Sequence, residues 1–190
     1  MPTTQLKKIP ISVSIGILII IIYSLYLTKA ISSLPCDKNL VSIFYSNFVH
    51  TKMSHLAVNL FALYALSDVE KEVGGGVFFS LISFLLFFNT IVYYFLRKLI
   101  PAVPCSIGIS GILFGISTWE LVTTKEINIL LILSILAMVM VPTIEDPKAS
   151  LVGHSIGALS GVVGGLLWNR IGPALGFSNR RKSSDTVEAK

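Results

Sequence analysis

Two short motifs place a serine and a histidine where each could take part in acyl transfer. Ser110 stands between Gly108 and Gly111, and His154 directly follows Gly153; each lies at the start of an apolar run. A serine hydroxyl becomes an effective nucleophile only when a base removes its proton, and a neutral histidine can do this near pH 7. The sequence therefore predicts a catalytic pair, with Ser110 as the nucleophile and His154 as the general base.

An acidic third member of this pair is not evident. Glu145 and Asp146 precede His154, but the prolines on both sides of them predict a loop, and nothing in the sequence directs either carboxylate to the histidine. A two-residue pair is the simpler hypothesis.

Acyl transfer also needs hydrogen-bond donors aimed at the oxyanion that develops on the attacked carbonyl. His55 and Asn59 are four residues apart and therefore share one face of a helix. The backbone N–H of Ser110 lies at a predicted helix start, where it is free to bind an anion. These three groups are the predicted oxyanion donors, and His50 and Gly108 are secondary candidates for the site.

Each of these residues also has a purely structural interpretation. A serine between glycines is common where two membrane helices touch, and an asparagine can simply bond to a neighbouring helix. An intramembrane histidine can do the same, although ionisable groups at this depth usually mark function. For His50, at the edge of a loop, an ordinary interfacial histidine is as good an interpretation as a site residue.

Glycines spaced four apart form a smooth stripe on each of two predicted helices. The stripes consist of Gly111 and Gly115 on one helix, and of Gly153, Gly157, Gly161 and Gly165 on the other. Small residues at this spacing let two helix backbones approach closely in a membrane. Ser110 adjoins one stripe and His154 adjoins the other, so contact between the stripes would bring the hydroxyl to the imidazole.

The composition indicates that lipid surrounds most of the chain. Its 190 residues are 53% hydrophobic and 13% charged, with a mean hydropathy of +0.79, whereas soluble domains carry about 25% charged residues. The net charge of +5 is not a nucleic-acid footprint, because the basic residues are scattered at the ends of apolar runs or gathered in the tail. There they would face lipid head groups.

Six apolar runs are long enough to suggest an all-α membrane protein with six transmembrane helices. They cover approximately residues 11–27, 54–66, 77–96, 110–122, 127–141 and 150–168. The first run is long for a signal peptide and no clear cleavage site follows it, so we predict a span there. The expected organisation is a cytoplasmic N-terminal segment at 1–10, a six-span domain at 11–171, and a polar, disordered tail at 172–190.

The candidate residues sort to one level of this topology. The basic residues favour both termini in the cytoplasm, so every even-numbered span begins on the non-cytoplasmic side. His50, His55, Asn59, Ser110 and His154 all lie at the start of even-numbered spans. Polar residues placed at random would not be expected to sort in this way.

These motifs, taken in order, resemble the rhomboid family of intramembrane serine proteases. The matching residues are the segment 50–59, Glu70 with Gly74, the segment 108–111, and Gly153-His154 with Gly157 and Gly161. The resemblance covers residues 40–170, and the ordered set is far more specific than any single motif. One departure is at Val41 and Ser42, where many rhomboids carry Trp-Arg.

The resemblance implies a six-helix rhomboid-like bundle with Ser110 as nucleophile and His154 as general base. It implies an oxyanion site made by His55, Asn59 and the Ser110 amide, and a water-filled cavity open to the outer side. The implied substrates are single-pass transmembrane proteins, cleaved near or within their spans, with no metal or organic cofactor. The family also contains catalytically silent members, so a binder of transmembrane clients is the alternative function.

The sequence does not decide the pairing of the cysteines, and it disfavours one further class of membrane protein. Cys36 and Cys105 are the two cysteines and have no metal-ligand spacing, and sequence alone cannot show if they pair in the loops of the outer side. A small transporter is disfavoured because the chain has no internal repeat of the kind that transporters show. The oligomeric state is not indicated.

Overall fold

The computed structural model describes residues 8–31, 39–124, 129, 133 and 147–175, and the regular secondary structure of these residues is helical. The helices are α1 (Pro10–Leu27), α2 (Leu40–Ser46), α3 (Met53–Val73), α4 (Gly75–Leu99), α5 (Ser110–Thr123) and α6 (Pro147–Ile171). A 3-10 turn at Gly172–Leu175 follows α6. The predicted all-α class agrees with these elements.

Three of the helices are long and apolar enough to cross a membrane. They are Pro10–Leu27, Gly75–Leu99 and the Leu151–Ile171 part of α6. The predicted count of six spans is therefore not confirmed. The predicted span at 127–141 lies outside the described residues except for Ile129 and Leu133, which are helical.

Helices α3 and α5 are not among these candidate membrane spans, for different reasons. The last third of α3 carries Asp68, Glu70, Lys71 and Glu72, which lower its apolar character. Helix α5 has 14 residues and is about 21 Å long, whereas the hydrocarbon core of a bilayer is about 30 Å thick.

Helix α3 also continues further than the predicted span at 54–66. The acidic stretch that follows residue 66 stays helical to Val73, with an ion pair of 2.7 Å between Lys71 Nζ and Asp68 Oδ1 on its surface. Gly74 then turns the chain directly into α4 with φ +85°, a conformation that favours glycine. The gap between the predicted spans at 54–66 and 77–96 is thus reduced to one non-helical residue.

Helix α5 is the centre of the bundle. Leu113, Ile116 and Trp119 on it are almost completely buried, and they belong to a core shared with α1, α3 and α4. Helix α6 packs along α5, and side chains on each helix donate hydrogen bonds to backbone carbonyls of the other. Thr118 Oγ1 donates to Ala158 O at 2.9 Å, and Asn169 Nδ2 donates to Val122 O at 3.1 Å.

The glycine stripes meet where these two helices cross, as the spacing predicts. A Cβ atom on Gly157 would lie far inside contact distance of Gly111 O, and one on Gly161 would do the same with Gly115 O. Backbone therefore touches backbone along this seam, and no larger residue could occupy either α6 position without separating the helices.

The carboxylate of Glu70 ties α3 to the beginning of α1. Its oxygens accept hydrogen bonds from Ile11 N at 2.8 Å, Ser12 N at 2.9 Å and Ser12 Oγ at 2.7 Å. The first N–H groups of a helix have no intrahelical acceptor, and α1 has no side-chain cap of its own. Glu70, which is 1% exposed, supplies that cap from across the bundle.

We expect Glu70→Ala to lower the free energy of unfolding by about 3 kcal/mol, because buried donors lose a charged acceptor. Glu70→Gln keeps one oxygen acceptor and should lose less. Denaturation of purified protein in detergent measures both. The control is Glu72→Ala, which removes an exposed carboxylate from the same turn. Equal loss from the two alanine variants would contradict the capping role.

The structure describes one of the two cysteines of the chain. Cys105, in the loop that leads into α5, is disulfide-bonded. Cys36, the other cysteine of the chain, lies outside the described residues.

Candidate active site

Ser110 and His154 are joined by a hydrogen bond across the seam between α5 and α6. The distance from His154 Nε2 to Ser110 Oγ is 3.0 Å. Both side chains are buried, with 5% of Ser110 and 9% of His154 exposed. The structure thus brings together the two residues that the sequence singles out, in a geometry that allows proton transfer from the hydroxyl to the imidazole.

A glycine turn sets where α5 begins, and so where the hydroxyl stands. Gly108 has φ +98° and its N–H donates to Ser46 O at 2.9 Å, which fastens the turn to the end of α2. Ile109 follows in helical geometry as the N-cap residue. Ser110 is therefore the first residue of α5, where the backbone N–H has no intrahelical acceptor.

Gly108 contributes to the site by having no side chain. A Cβ atom there would lie 2.7 Å from His55 Cε1 and 3.4 Å from His50 Nε2. Only glycine lets these two imidazoles lie against the turn that precedes Ser110. The N–H of Gly108 is already bonded to Ser46, so it is not available to an oxyanion.

The predicted oxyanion residues form one cluster beside this turn. His50 Nε2 lies 2.9 Å from Asn59 Nδ2, and the rings of His50 and His55 are 5.1 Å apart in an edge-on arrangement. Burial, reinforced by the nearby His55, lowers the pKa of His50 to about 3. His50 is therefore neutral near pH 7, and its Nε2 can accept one N–H of the Asn59 amide.

Phe114 orients the imidazole of His154, a role that the sequence analysis missed. The two rings are stacked with their centroids 4.3 Å apart and an interplanar angle of 29°. Phe114 lies four residues after Ser110, so it occupies the same face of α5. The four-residue spacing from Ser110 could have identified Phe114 from the sequence. Glu145 and Asp146, the acidic residues considered as orienting groups, lie outside the described residues.

A small polar cavity lies directly behind the pair. It has a volume of about 30 Å³ and is lined by the backbone of Gly111 and Gly153 and by Ser106, Asn89 and Tyr93, among others. Asn89 is 6% exposed, and its amide atoms have no hydrogen-bond partner within the described part of the chain. A cavity of this size and polarity has room for a water molecule.

Among the described residues, no three His, Cys, Asp or Glu side chains come together as a metal site would require.

Comparison with protein families gives one match. The model of the Rhomboid domain family matches residues 37–170, a stretch that contains every residue of this site. Comparisons with curated proteins and with solved structures found no match.

Proposed function

The chain belongs to the rhomboid family, because the family match covers more than two thirds of the chain, and we propose that it is an intramembrane serine endopeptidase. Ser110 is the nucleophile and His154 the general base. The observation that carries the proposal is the 3.0 Å hydrogen bond between Ser110 Oγ and His154 Nε2. A histidine nitrogen bonded to the serine oxygen can take its proton and so activates a hydroxyl that is otherwise a weak nucleophile.

The acylation step uses the two helices of the seam. His154 Nε2 takes the proton of Ser110 while Oγ attacks the carbonyl carbon of the scissile peptide. The tetrahedral intermediate collapses as His154 gives this proton to the leaving nitrogen, so that an acyl-enzyme remains on Ser110. A water molecule then repeats the sequence with His154 as base, and the polar cavity behind the pair supports a supply of water to this step.

The oxyanion of the intermediate is stabilised by the Ser110 N–H, Asn59 and His55. Asn59 Nδ2 carries two N–H groups, and His50 takes one of them. The second remains for a ligand. Since Asn59 is completely buried, its second N–H acts away from bulk water, where a preorganised hydrogen bond stabilises a developing charge most strongly.

The substrates are single-pass transmembrane proteins, cut near or within their spans. Gly111 at the start of α5 lies against Gly153 of α6 and beside Asn89 of α4. Because α6 begins at Pro147 and α4 ends at Leu99, the start of α5 lies below the ends of both neighbours. A hydroxyl at that depth meets peptide bonds of membrane-anchored chains more readily than those of soluble ones. We extend the proposal to six spans with both termini in the cytoplasm, which the distribution of basic residues supports.

Labelling with a fluorophosphonate probe tests the proposal on purified protein. A hydroxyl activated by His154 should react covalently, and the label should be found on Ser110 by peptide mapping. Ser110→Ala should remove the label completely, whereas Ser106→Ala, in the preceding loop, should keep it. A folded wild-type protein that takes no label would favour the alternative function, a silent rhomboid that binds transmembrane clients.

A further prediction concerns the oxyanion donor. We expect Asn59→Ala to lower kcat by about 10²- to 10³-fold with little change in KM, because the lost donor acts on the transition state. The matched control is Asn169→Ala, which also removes an amide with one hydrogen bond, but at the other end of α6. If both variants lose activity in proportion to their stability, Asn59 has no role in catalysis.

A further inference from the structure

The loop that leads into α5 is fastened to other parts of the bundle on both sides of Cys105. Tyr93 of α4 donates its hydroxyl hydrogen to Pro104 O. The N–H of Gly108 donates to Ser46 O, at the end of α2, at 2.9 Å. Cys105 lies between these two points and is disulfide-bonded. The loop ends where α5 begins, so these attachments determine the position of the first turn of that helix.

The disulfide joins this loop to the segment that precedes α2. The chain has one cysteine besides Cys105, and this is Cys36. Asn39, three residues later, is the N-cap of α2, and its side chain accepts a hydrogen bond from a backbone N–H of the first turn at 2.8 Å. The disulfide therefore links the loop to the chain just before α2, whereas the hydrogen bond from Gly108 links the loop to the end of α2.

Helix α2 is too short to be stable without such links. It has seven residues, and isolated helices of fewer than about 12 residues are marginal. Ile43, which is 2% exposed, packs with Tyr93 of α4 and Ile156 of α6. Phe44 contacts Phe87 of α4 with ring centroids 5.9 Å apart. These contacts hold the middle of α2, so the links to the loop are what fix its two ends.

Cys105 is accessible to thiols in solution. Its residue is only partly buried, and Pro101 and Ala102, which precede it in the loop, are exposed. The loop follows Lys98, an exposed cation at the end of a candidate membrane span, and such cations face water and lipid head groups. A disulfide that a water-soluble thiolate can reach is open to thiol–disulfide exchange.

We propose that the disulfide between Cys36 and Cys105 is a redox switch, which a dithiol opens to release α2 and the turn before Ser110. A thiolate of the dithiol attacks Cys105 Sγ, the sulfur–sulfur bond breaks, and Cys36 leaves as a thiolate that takes a proton. The second thiol of the reductant then attacks the mixed disulfide and displaces Cys105. The dithiol becomes a disulfide, and its two electrons and two protons are on the two cysteines.

Opening the switch slows catalysis while α5 and α6 stay together. Ser46 O is the acceptor that fastens Gly108, and His50, four residues after Ser46, is hydrogen-bonded to Asn59. Release of α2 therefore loosens both the start of α5 and the amide of Asn59. The glycine seam joins α5 to α6 without any contribution from α2. The effect on catalysis rests on the proposed function, whereas the release of α2 does not.

Hydrogen exchange of the full chain in detergent micelles tests the switch without reference to catalysis. Reduction by dithiothreitol should speed amide exchange at least about tenfold in peptides that cover residues 40–46 and 106–109. Reoxidation by oxidised glutathione should restore the slow exchange. Peptides from the α5–α6 seam, at residues 111–117 and 153–160, should exchange at the same rate in both states.

The cysteine variants are the matched controls, because the chain has no other thiol. Cys36→Ser and Cys105→Ser should each exchange as fast as the reduced wild-type chain, and dithiothreitol should leave both unchanged. The rate of fluorophosphonate labelling at Ser110 should fall about tenfold on reduction of the wild-type chain, and equally in both variants, because the hydroxyl is less well positioned.

Three results would overturn the proposal. Cysteines that stay free thiols after treatment with oxidised glutathione, or that join two copies of the chain, would remove the bond on which it depends. Unchanged exchange on reduction would mean that packing alone holds α2 and the turn. Labelling of Ser110 that continues at the same rate after reduction would leave a cross-link without a switch. An oxidised chain that takes no label but shows the predicted exchange would support the release of α2 and contradict the proposed function instead.

Discussion

Replacement of His154 by alanine is expected to lower kcat by at least about 10⁴-fold, which is the largest effect that we predict for a single side chain. The imidazole is the one base within hydrogen-bond distance of Ser110 Oγ among the described residues. Without it the hydroxyl keeps its proton, and the leaving nitrogen has no acid. Cleavage of a helix-anchored reporter in proteoliposomes, measured with substrate in excess, gives the rate.

The matched control is Ser155→Ala, which changes the neighbouring but exposed residue of α6 and should leave the rate within about twofold. The double variant Ser110→Ala/His154→Ala should be no slower than either single variant, because two residues that act as a unit are not additive. Additive losses, or substantial cleavage by folded His154→Ala, would show that the hydrogen bond is structural.

The second large effect is expected at the helix seam. The methyl carbon of Gly157→Ala would lie 2.0 Å from Gly111 O, which is a backbone atom and cannot turn aside as the end of a flexible side chain can. The helices must therefore separate, which should lower the free energy of unfolding by about 3 kcal/mol or more. His154 is three residues before Gly157, so the Nε2–Oγ distance should increase as well. A shift of about 1 Å can reduce the rate by about 10²-fold.

Gly16→Ala provides the comparison. Its Cβ would meet Leu60 and Leu63 at 3.7 and 3.8 Å, which is ordinary contact. The substitution should therefore be neutral or stabilising, since alanine favours a helix more than glycine does. Thermal unfolding and reporter cleavage measured on both variants separate the effect of close backbone contact from the loss of a glycine in general. Similar behaviour of the two variants would contradict the seam.

The site was more predictable than the boundaries of the helices that hold it. Glycine next to Ser110 and next to His154, with glycines every four residues beyond them, determines both the start of α5 and the contact with α6. That information is local and periodic, so the sequence displays it. The spacing of His55 and Asn59 is local in the same way, and their convergence on Gly108 follows from the glycine turn.

The end of α3 could not be predicted in the same way. Four charged residues after Ser67 look like a loop by composition, and only the tertiary structure shows that Glu70 points inward to cap α1. That contact joins residues 58 positions apart, which no local pattern reveals. The stacking of Phe114 on His154 is intermediate: its spacing from Ser110 is visible, but its partner is on another helix.

The contact between α5 and α6 also determines which parts of the molecule can move. Carbonyl oxygens of one helix occupy the space that side chains would fill on the other, so neither helix can slide or roll without collision. Ser110 and His154 are therefore held on what is effectively one rigid body. Any opening that admits a polypeptide must come from the elements around it, such as α2 and the beginning of α3, and α3 carries the proposed oxyanion donors His55 and Asn59. If the proposed function holds, substrate entry would then shift His55 and Asn59 while the distance between Ser110 and His154 stays the same.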